Sequence, residues 1–158
     1  MKKLLCVVLV LCMLFSLSGC VQNVLGSAMF LFLAVTNDDR ADKDEVFAFV
    51  REKEKALSSA ITDGDFSAFE NKGFIQRVDV REKYVDFSCG GAGVGSGTSY
   101  VGFYYSPEDD MTAVWCAPSS AASLMPCGNG FEWLEQIGDN RYYTEHICGH
   151  FYYYEASF

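Results

Sequence analysis

The sequence predicts an α+β fold, in which an N-terminal helix or pair of helices packs on an antiparallel meander sheet of about five to seven strands. Between residues 42 and 61, apolar side chains recur at steps of three and four, as they do on one face of a helix. From residue 74 onward they alternate at steps of two, as they do in strands. Helical sequence followed by a run of hairpin-linked strands is typical of the α+β class.

The first predicted element of the folded part is the helix over residues 42–61. Asp42 is a suitable N-cap, and Glu45 three residues later completes a capping box. The apolar face of this helix comprises Val46, Phe49, Val50, Leu57, Ala60 and Ile61. The polar sequence at 62–65 ends it, and residues 66–71 predict a short second helix that Gly73 terminates.

The strands follow as alternating segments rich in Tyr, Phe, Trp and Val, which suit a pleated sheet. They are predicted over residues 74–80, 84–89, 98–105, 111–116, 131–137, 141–148 and 151–158. Turn signals separate them, including a Ser-Pro-acidic sequence at 106–110 and a Gly-Asp-Asn hairpin signal at 138–140. Residues 40–158 are therefore predicted to form a single α+β domain.

Composition and charge exclude two classes of protein. The chain has 158 residues, 12 of them basic and 21 acidic, and a net charge of −9. Half of the residues are apolar, which is too many for a disordered acidic tail. Nucleic acid is not an expected partner, because binding to phosphates requires clustered Lys and Arg.

The acidic and aromatic residues are concentrated in the second half of the chain. After Lys83 the only basic residue is Arg141, whereas this stretch carries nine acidic residues. It also contains all nine Tyr residues and both Trp residues. The sequence therefore predicts an aromatic and acidic sheet.

The N-terminus has the three parts of an export signal. Lys2 and Lys3 precede an uncharged apolar run at 4–15, and Leu17-Ser18-Gly19-Cys20 follows. These four residues resemble the lipobox of bacterial lipoproteins. The resemblance implies that residues 1–19 are a lipoprotein signal peptide and that the sulfur of Cys20 carries a diacylglycerol. The alternative is an ordinary signal peptide or an uncleaved anchor helix, although 4–15 is shorter than the roughly 20 residues of a membrane span.

Residues 20–39 are predicted to be a lipid-attached apolar segment. No charged residue occurs between Lys3 and Asp38, and the run at 24–35 is too short to span a bilayer comfortably. This run is predicted to pack on the domain or on the membrane surface, and the alternative is that it extends the first run as an anchor. The expected location is the extracytoplasmic face of a bacterial cell membrane, with membrane lipid as a partner through acylated Cys20.

Four cysteines remain after the predicted processing. An even number of cysteines in an exported chain predicts two disulfides, with three connectivities open. The candidates are Cys89, Cys116, Cys127 and Cys148. The alternative is that all four are reduced and buried.

Two constellations contain residues of the types that bind metals or act as nucleophiles. His146, Cys148 and His150 are metal-ligand types within five residues, but their spacing is unusual for zinc and a disulfide at Cys148 would remove the site. A nucleophile formed by Cys89 or Cys148 with either histidine lacks an orienting third group. The sequence predicts no metal site and no catalytic residue, and these constellations stay weak alternatives.

Two further patterns contain residues that occur in ligand sites. The glycines between 90 and 97 do not form a dinucleotide-binding motif and precede a strand, so they predict an inter-strand loop, with a ligand-gripping loop as the alternative. No cofactor is therefore expected. A set of acids lies beside aromatic residues, which favours a solvated acidic face, with a sugar-binding or glycosidase cleft as the alternative. These acids are Glu132, Glu135, Glu145 and Glu155.

The aromatic residues of the predicted strands are candidates for a binding surface. Aromatic side chains occur on both faces of these strands, and one set must form the core while the other is either covered or exposed to a partner. The candidates are Tyr104, Tyr105, Trp133, Tyr142, Tyr143 and Tyr153. The sequence at 84–91 and 102–107 also resembles small uncharacterised exported proteins of Gram-positive bacteria, a resemblance that implies no activity.

The predicted function is that of a lipid-anchored extracytoplasmic binding module with an aromatic, acidic sheet surface. Its partner would be an envelope protein, a secreted protein or a glycan. One alternative is an inhibitor or immunity-type lipoprotein, because the processed chain carries 10 basic and 21 acidic residues and would attract a basic secreted protein. The other is a small envelope hydrolase or metal-dependent enzyme around His146 and His150.

Overall fold

The computed structural model describes residues 38–93 and 97–158. In these residues one helix, α1 (Lys43–Asp63), precedes the sheet. The strands are β1 (Arg77–Val80), β2 (Val85–Ala92), β3 (Ser99–Tyr105), β4 (Met125–Cys127), β5 (Gly130–Leu134), β6 (Arg141–Cys148) and β7 (Phe151–Ser157). The predicted signal peptide, the lipidation site at Cys20 and the apolar run at 24–35 lie outside the described residues.

The predicted first helix is confirmed as α1, together with its cap. The side chain of Asp42 accepts a hydrogen bond from the backbone N–H of Asp44 at 2.9 Å. The helix ends at Gly64, which adopts φ 69° and donates its N–H to the carbonyl of Ala60. Within the described ranges, no helix is both long enough and apolar enough to cross a membrane.

The predicted second helix is wrong. Residues 66–71 form a run of turns, in which the N–H groups of Phe69 and Glu70 both bond to the carbonyl of Phe66. The chain cannot continue as a helix because Asn71 and Gly73 adopt positive φ values of 56° and 60°. This segment instead leads into β1, which begins three residues later than the predicted strand.

The seven strands form one antiparallel sheet, but not the single meander that the sequence predicts. Their order is β1-β2-β3-β7-β6-β5-β4. Two meanders, β1-β2-β3 and β4-β5-β6-β7, are joined where β3 pairs with β7 from Tyr105↔Phe151 to Ser99↔Ser157. The chain leaves β3 and crosses to the opposite edge of the sheet before it returns strand by strand.

The segment that makes this crossing, residues 106–124, contains no strand, so the strand predicted over 111–116 is wrong. It consists of turns, such as those closed by the bonds from Ala113 N–H to Asp110 O and from Ala117 N–H to Val114 O, and of a short 3₁₀ helix at Ala121–Ser123. Val114 and Cys116 are buried against the sheet rather than paired within it. The alternating apolar residues that suggested a strand here serve to cover a face of the sheet.

The two faces of the sheet have different cores. The helix face, covered by α1, is built from Phe and aliphatic side chains, and the rings of Phe87 and Phe103 stack there at 4.5 Å. The tyrosine face, covered by residues 106–124, is built around Tyr104, Tyr142, Tyr152 and Tyr154. Because successive side chains in a strand point to opposite sides, consecutive tyrosines such as Tyr153 and Tyr154 belong to different cores.

Candidate functional site

A cleft of about 490 Å³ lies at the β1–β2 end of the tyrosine face, within the size range of small-ligand sites. We refer to it as the Asp86 cleft. It is lined by Asp39, Gln76, Arg77, Asp86, Ser88, Gly90, Gly91, Tyr100, Trp115 and Tyr154. Eight of these residues come from β1, β2, β3, β7 and the crossing segment, and Asp39 and Gln76 lie just before α1 and β1, so only the folded chain brings them together.

Asp86 is the buried carboxylate of this cleft. It lies on β2 between Val85 and Phe87, which point to the helix face, and its side chain therefore points to the tyrosine face. The residue is only 1% exposed. The hydroxyl of Tyr154 donates to Oδ1 of Asp86 at 3.0 Å, and the side chain of Trp115 donates a second hydrogen bond.

Burial sets the protonation of Asp86. Removal of this carboxyl from water raises its pKa to about 6, although the hydrogen bond from Tyr154, the charge of Arg77 and the hydrogen bond from Trp115 all favour the ionised form. The group therefore exchanges its proton just below neutral pH. Carboxyl groups that lie in clefts and have a strongly shifted pKa are typical of functional sites.

Trp115 forms an aromatic wall of the cleft. It is 49% exposed, although it lies beside a buried carboxyl. The ring of Tyr100 contacts it edge-on at 5.4 Å, and the ring of Phe158 lies 5.9 Å away. These contacts and the hydrogen bond to Asp86 hold the indole in place while leaving part of its surface open to a ligand.

The floor of the cleft is formed by a bulge in β2. The pairing register with β3 shifts between Ser88 and Gly91, and Gly90 adopts φ 115°. A Cβ atom at Gly90 would lie 2.3 Å from the carbonyl oxygen of Asp39, so the close approach of these two backbones requires glycine. The carboxylate of Asp39 accepts hydrogen bonds from the Gly91 N–H and from Nε2 of Gln76.

Arg77 supplies a cationic hydrogen-bond donor at the rim. It lies on β1 directly opposite Ser88 and is exposed. Within the described part of the chain it takes part in none of the ion pairs, which join other residues. Its guanidinium is therefore free to bind a ligand.

The structure corrects the predicted aromatic binding surface. Tyr104, Tyr142 and Tyr153 are buried, the first two on the tyrosine face and the third on the helix face. Tyr105 and Tyr143 are partly buried against the helix-face core, and Trp133 is partly buried against the tyrosine-face core. Both faces of the sheet are covered, so these rings pack the interior rather than line one open surface.

The four candidate disulfide cysteines are all free thiols in the structure. Cys89 and Cys148 lie at the helix-face core, Cys116 lies at the tyrosine-face core, and Cys127 is partly buried on β4. Their pairing as two disulfides stays a prediction. Burial raises the pKa of the Cys89 and Cys148 thiols, which disfavours the thiolate that a nucleophile requires.

The two histidines are engaged with different partners. Nε2 of His146 donates to the carbonyl of Gly149 at 2.8 Å, and Nδ1 of His150 donates to Asp109 at 2.7 Å. In residues 38–93 and 97–158, no three His, Cys, Asp or Glu side chains are grouped to hold a metal ion. His146, Cys148 and His150 therefore do not converge on one point.

The candidate acidic residues of the sheet are also separated by their partners. Glu145 bonds to Lys43 and to the hydroxyl of Tyr143, and Glu155 accepts from the hydroxyl of Tyr153. Glu132 pairs with Arg141 at 3.4 Å, and Glu135 lies against the Gly138 turn. No two of these carboxylates are shown facing each other across an open cleft in the described residues.

No family model, curated protein or solved structure matches the chain. The function is therefore inferred from the geometry of the site. Sequence reasoning missed Asp86 and Trp115. Alternation places Asp86 on the strand face opposite Val85 and Phe87, where an acid is ordinarily solvated, and only the covering of that face by residues 106–124 buries it.

Proposed function

We propose that the chain is a lipid-anchored extracytoplasmic binding module and that the Asp86 cleft is its ligand site. The observation that carries the proposal is a buried carboxyl beside a half-exposed indole in one cleft. A binding site of this kind combines an apolar wall with a few fixed polar groups that orient the ligand. The wall is Trp115, and the polar groups are Asp86 and Arg77.

The arrangement favours binding over hydrolysis. Acid–base hydrolysis of a glycoside requires two carboxyl groups on opposite sides of the reacting bond. The second carboxylate of the cleft, that of Asp39, is held by Gly91 and Gln76 and supports the bulge. Among the described residues that line the cleft, Asp86 is therefore the carboxyl positioned to receive a ligand.

The lipid anchor is inferred from the lipobox at Leu17-Ser18-Gly19-Cys20. A diacylglycerol at Cys20 would hold the domain on the extracytoplasmic face of a bacterial cell membrane. Intact mass spectrometry of the chain extracted from membranes tests this part of the proposal. We expect a chain that begins at Cys20 and carries acyl groups.

The matched control for the anchor is a second cysteine of the same N-terminal region. Cys20→Ser should prevent processing and acylation, whereas Cys12→Ser should leave both intact. A full-length, unacylated wild-type chain would remove the anchor from the proposal.

The cleft is tested by retention of the full-length chain, solubilised in a polyoxyethylene detergent, on envelope material that the same detergent has freed of lipid, so that the acyl group at Cys20 cannot itself hold the chain there. We expect Trp115→Ala and Asp86→Asn to reduce retention strongly, because both remove ligand contacts. Trp133→Ala is the matched control, since Trp133 lies on β5 outside the cleft. Equal retention of all variants would show that the cleft is not the binding site.

A second candidate function, binding of a basic secreted protein, is favoured by the opposite end of the sheet. Leu134 and Ile137 are 47% and 93% exposed there, close in sequence to the acidic residues Glu132, Glu135 and Asp139. Exposed apolar side chains with acids close in sequence are suited to a cationic protein partner. Binding of such a partner should weaken steeply as salt is raised, and salt-insensitive binding would argue against this candidate.

Variants separate this second surface from the cleft. Leu134→Ser with Ile137→Ser should weaken capture of a basic partner but preserve cleft-dependent retention. Val80→Ser is the matched control, because Val80 is 59% exposed on β1 at the other edge of the sheet. Loss of capture in the control as well would indicate a general effect on the fold.

A further inference from the structure

We propose that the Asp86 cleft binds a ring of a neutral saccharide, which stacks on Trp115 and hydrogen-bonds through its hydroxyl groups to Asp86 and Arg77. This inference rests on the proposed function and names the ligand class of the same site. A sugar ring has an apolar C–H face and a rim of hydroxyl groups. A complementary site therefore needs a flat aromatic surface beside fixed donors and acceptors.

Trp115 provides the flat surface. The residue is 49% exposed, and its ring contacts the rings of Tyr100 at 5.4 Å and Phe158 at 5.9 Å. An indole that is fixed before the ligand arrives loses little conformational freedom on binding. It is therefore a pre-organised platform for the C–H face of a ring.

The hydroxyl groups of the ring would find acceptors at Asp86 and donors at Arg77. A carboxylate has four lone-pair positions, and the bonds from Tyr154 and Trp115 use two of them. The remaining positions can accept from sugar hydroxyls. The free guanidinium of Arg77 and the hydroxyl of Ser88, opposite each other on β1 and β2, complete the polar rim.

The charges of the cleft disfavour an anion. A ligand such as phosphate would meet the carboxyl groups of Asp39 and Asp86 against the one guanidinium of Arg77 in the described lining. A cation would be attracted by the two carboxyl groups, but it would leave the hydrogen-bond donors of Arg77 without an acceptor. A neutral hydroxylated ring uses the donors and the acceptors of the cleft together.

The inference is tested with the full-length acylated chain in a polyoxyethylene detergent, which carries no sugar headgroup. Binding is measured by calorimetry and by indole fluorescence, with neutral oligosaccharides as probes, including chitotriose, maltotriose, cellotriose and mannotriose. Tetramethylammonium and inorganic phosphate are the competing probes. We expect that a neutral oligosaccharide binds saturably and that neither charged probe binds.

Variants of the cleft determine whether such binding occurs at this site. Trp115→Ala should weaken saccharide binding by at least about tenfold, and Trp115→Phe should weaken it less because a ring remains. Asp86→Asn should also weaken it, whereas Trp133→Ala should bind as the wild type does. Circular dichroism and thermal unfolding of each variant identify any that fail to fold.

Three outcomes overturn the inference. The first is that no neutral oligosaccharide binds, and the second is that only a charged probe binds. The third is that the folded variants Trp115→Ala and Asp86→Asn bind the saccharide as tightly as the wild type does. These results are distinguishable from a failure of the proposed function. If the cleft variants lose envelope retention but no saccharide binds, the ligand class is wrong and the binding site stands. If the cleft variants are also retained as well as the wild type, the proposed function is wrong too.

Discussion

Asp86 shows how one buried group links the stability of the domain to its candidate site. Its carboxyl is needed as a polar contact in the cleft, yet its burial raises its pKa to about 6 from the ordinary value of 3.8. A pKa that is raised on folding means that the protonated group favours the folded state. The favourable contribution is complete below about pH 4 and is lost as the pH rises through 6.

This pKa shift predicts a pH-dependent effect of Asp86→Asn. The shift corresponds to about 3 kcal/mol, so the variant should be more stable than the wild type by up to about that amount at pH 8 and similar to it at pH 4. Urea unfolding at both pH values measures the difference. Ser88→Ala, which changes the cleft without removing an ionisable group, is the control, and identical pH profiles for wild type and Asp86→Asn would contradict the prediction.

Gly102 illustrates a residue whose small size is required by packing. It lies on β3, where a Cβ atom would be 2.7 Å from the ring of Tyr154 and 2.6 Å from the carbonyl oxygen of Phe87. A methyl group there would therefore force both the β2 backbone at Phe87 and the Tyr154 ring, which bonds to Asp86, to shift.

We therefore expect Gly102→Ala to destabilise the domain by about 1–3 kcal/mol and to weaken ligand binding at the cleft. Thermal unfolding and calorimetry measure the two effects. Ser99→Ala on the same strand is the control for a small change in β3. An unchanged melting temperature for Gly102→Ala would show that the packing around Tyr154 is looser than the structure indicates.

At the scale of elements, the segment at 106–124 determines both a core and the site. It carries Val114 and Cys116 into the tyrosine face and places Trp115 between them, facing out over the cleft. Buried and exposed residues alternate here as they do in a strand. In this segment, however, the buried residues cover the sheet and the exposed one presents its indole to the cleft.

Removal of the Val114 anchor should release this segment. Val114 is 3% exposed, so Val114→Asp places a charge in an apolar core and should detach residues 106–124 from the sheet. Limited proteolysis should then cut within the segment faster, and indole fluorescence should shift to the red. Ser119→Asp, at an exposed position of the same segment, should behave as the wild type. Equal cleavage of both variants would contradict the anchoring role.

At the scale of the whole molecule, the β3–β7 pairing joins the two meanders. Every central strand has hydrogen-bonded neighbours on both sides, whereas β1 and β4 lie at the edges. The β4 edge is short, with three residues that include Pro126, which has no N–H to donate.

The rate of hydrogen–deuterium exchange of backbone amides should depend on how close a strand lies to the edge of the sheet. We expect the slowest exchange in β3 and β7, which connect the halves of the sheet, and the fastest in β1 and β4. Mass spectrometry of peptides from the exchanged full-length chain resolves these regions. Protection of β4 equal to that of β7 would show that the edge is covered by a partner or by another copy of the chain.

The elements that the sequence predicted well are those governed by local interactions. The cap at Asp42, the apolar face of α1 and the glycine that ends it are all set by contacts within a few residues. The strands at 84–89, 98–105, 141–148 and 151–158 were found for the same reason, because their alternation and turn signals are local.

The sequence by itself determined an α+β domain with one capped helix, a strand-rich second half and an acidic, aromatic composition, and it predicts a lipid anchor outside the described residues. Only the tertiary structure decided the strand order, the burial of Tyr104, Tyr142 and Tyr153, and the meeting of Asp86, Tyr154 and Trp115 in one cleft. The reason is physical. Local periodicity tells which side of a strand a residue faces, but which other residues lie on that side depends on pairings between distant segments, such as β3 with β7.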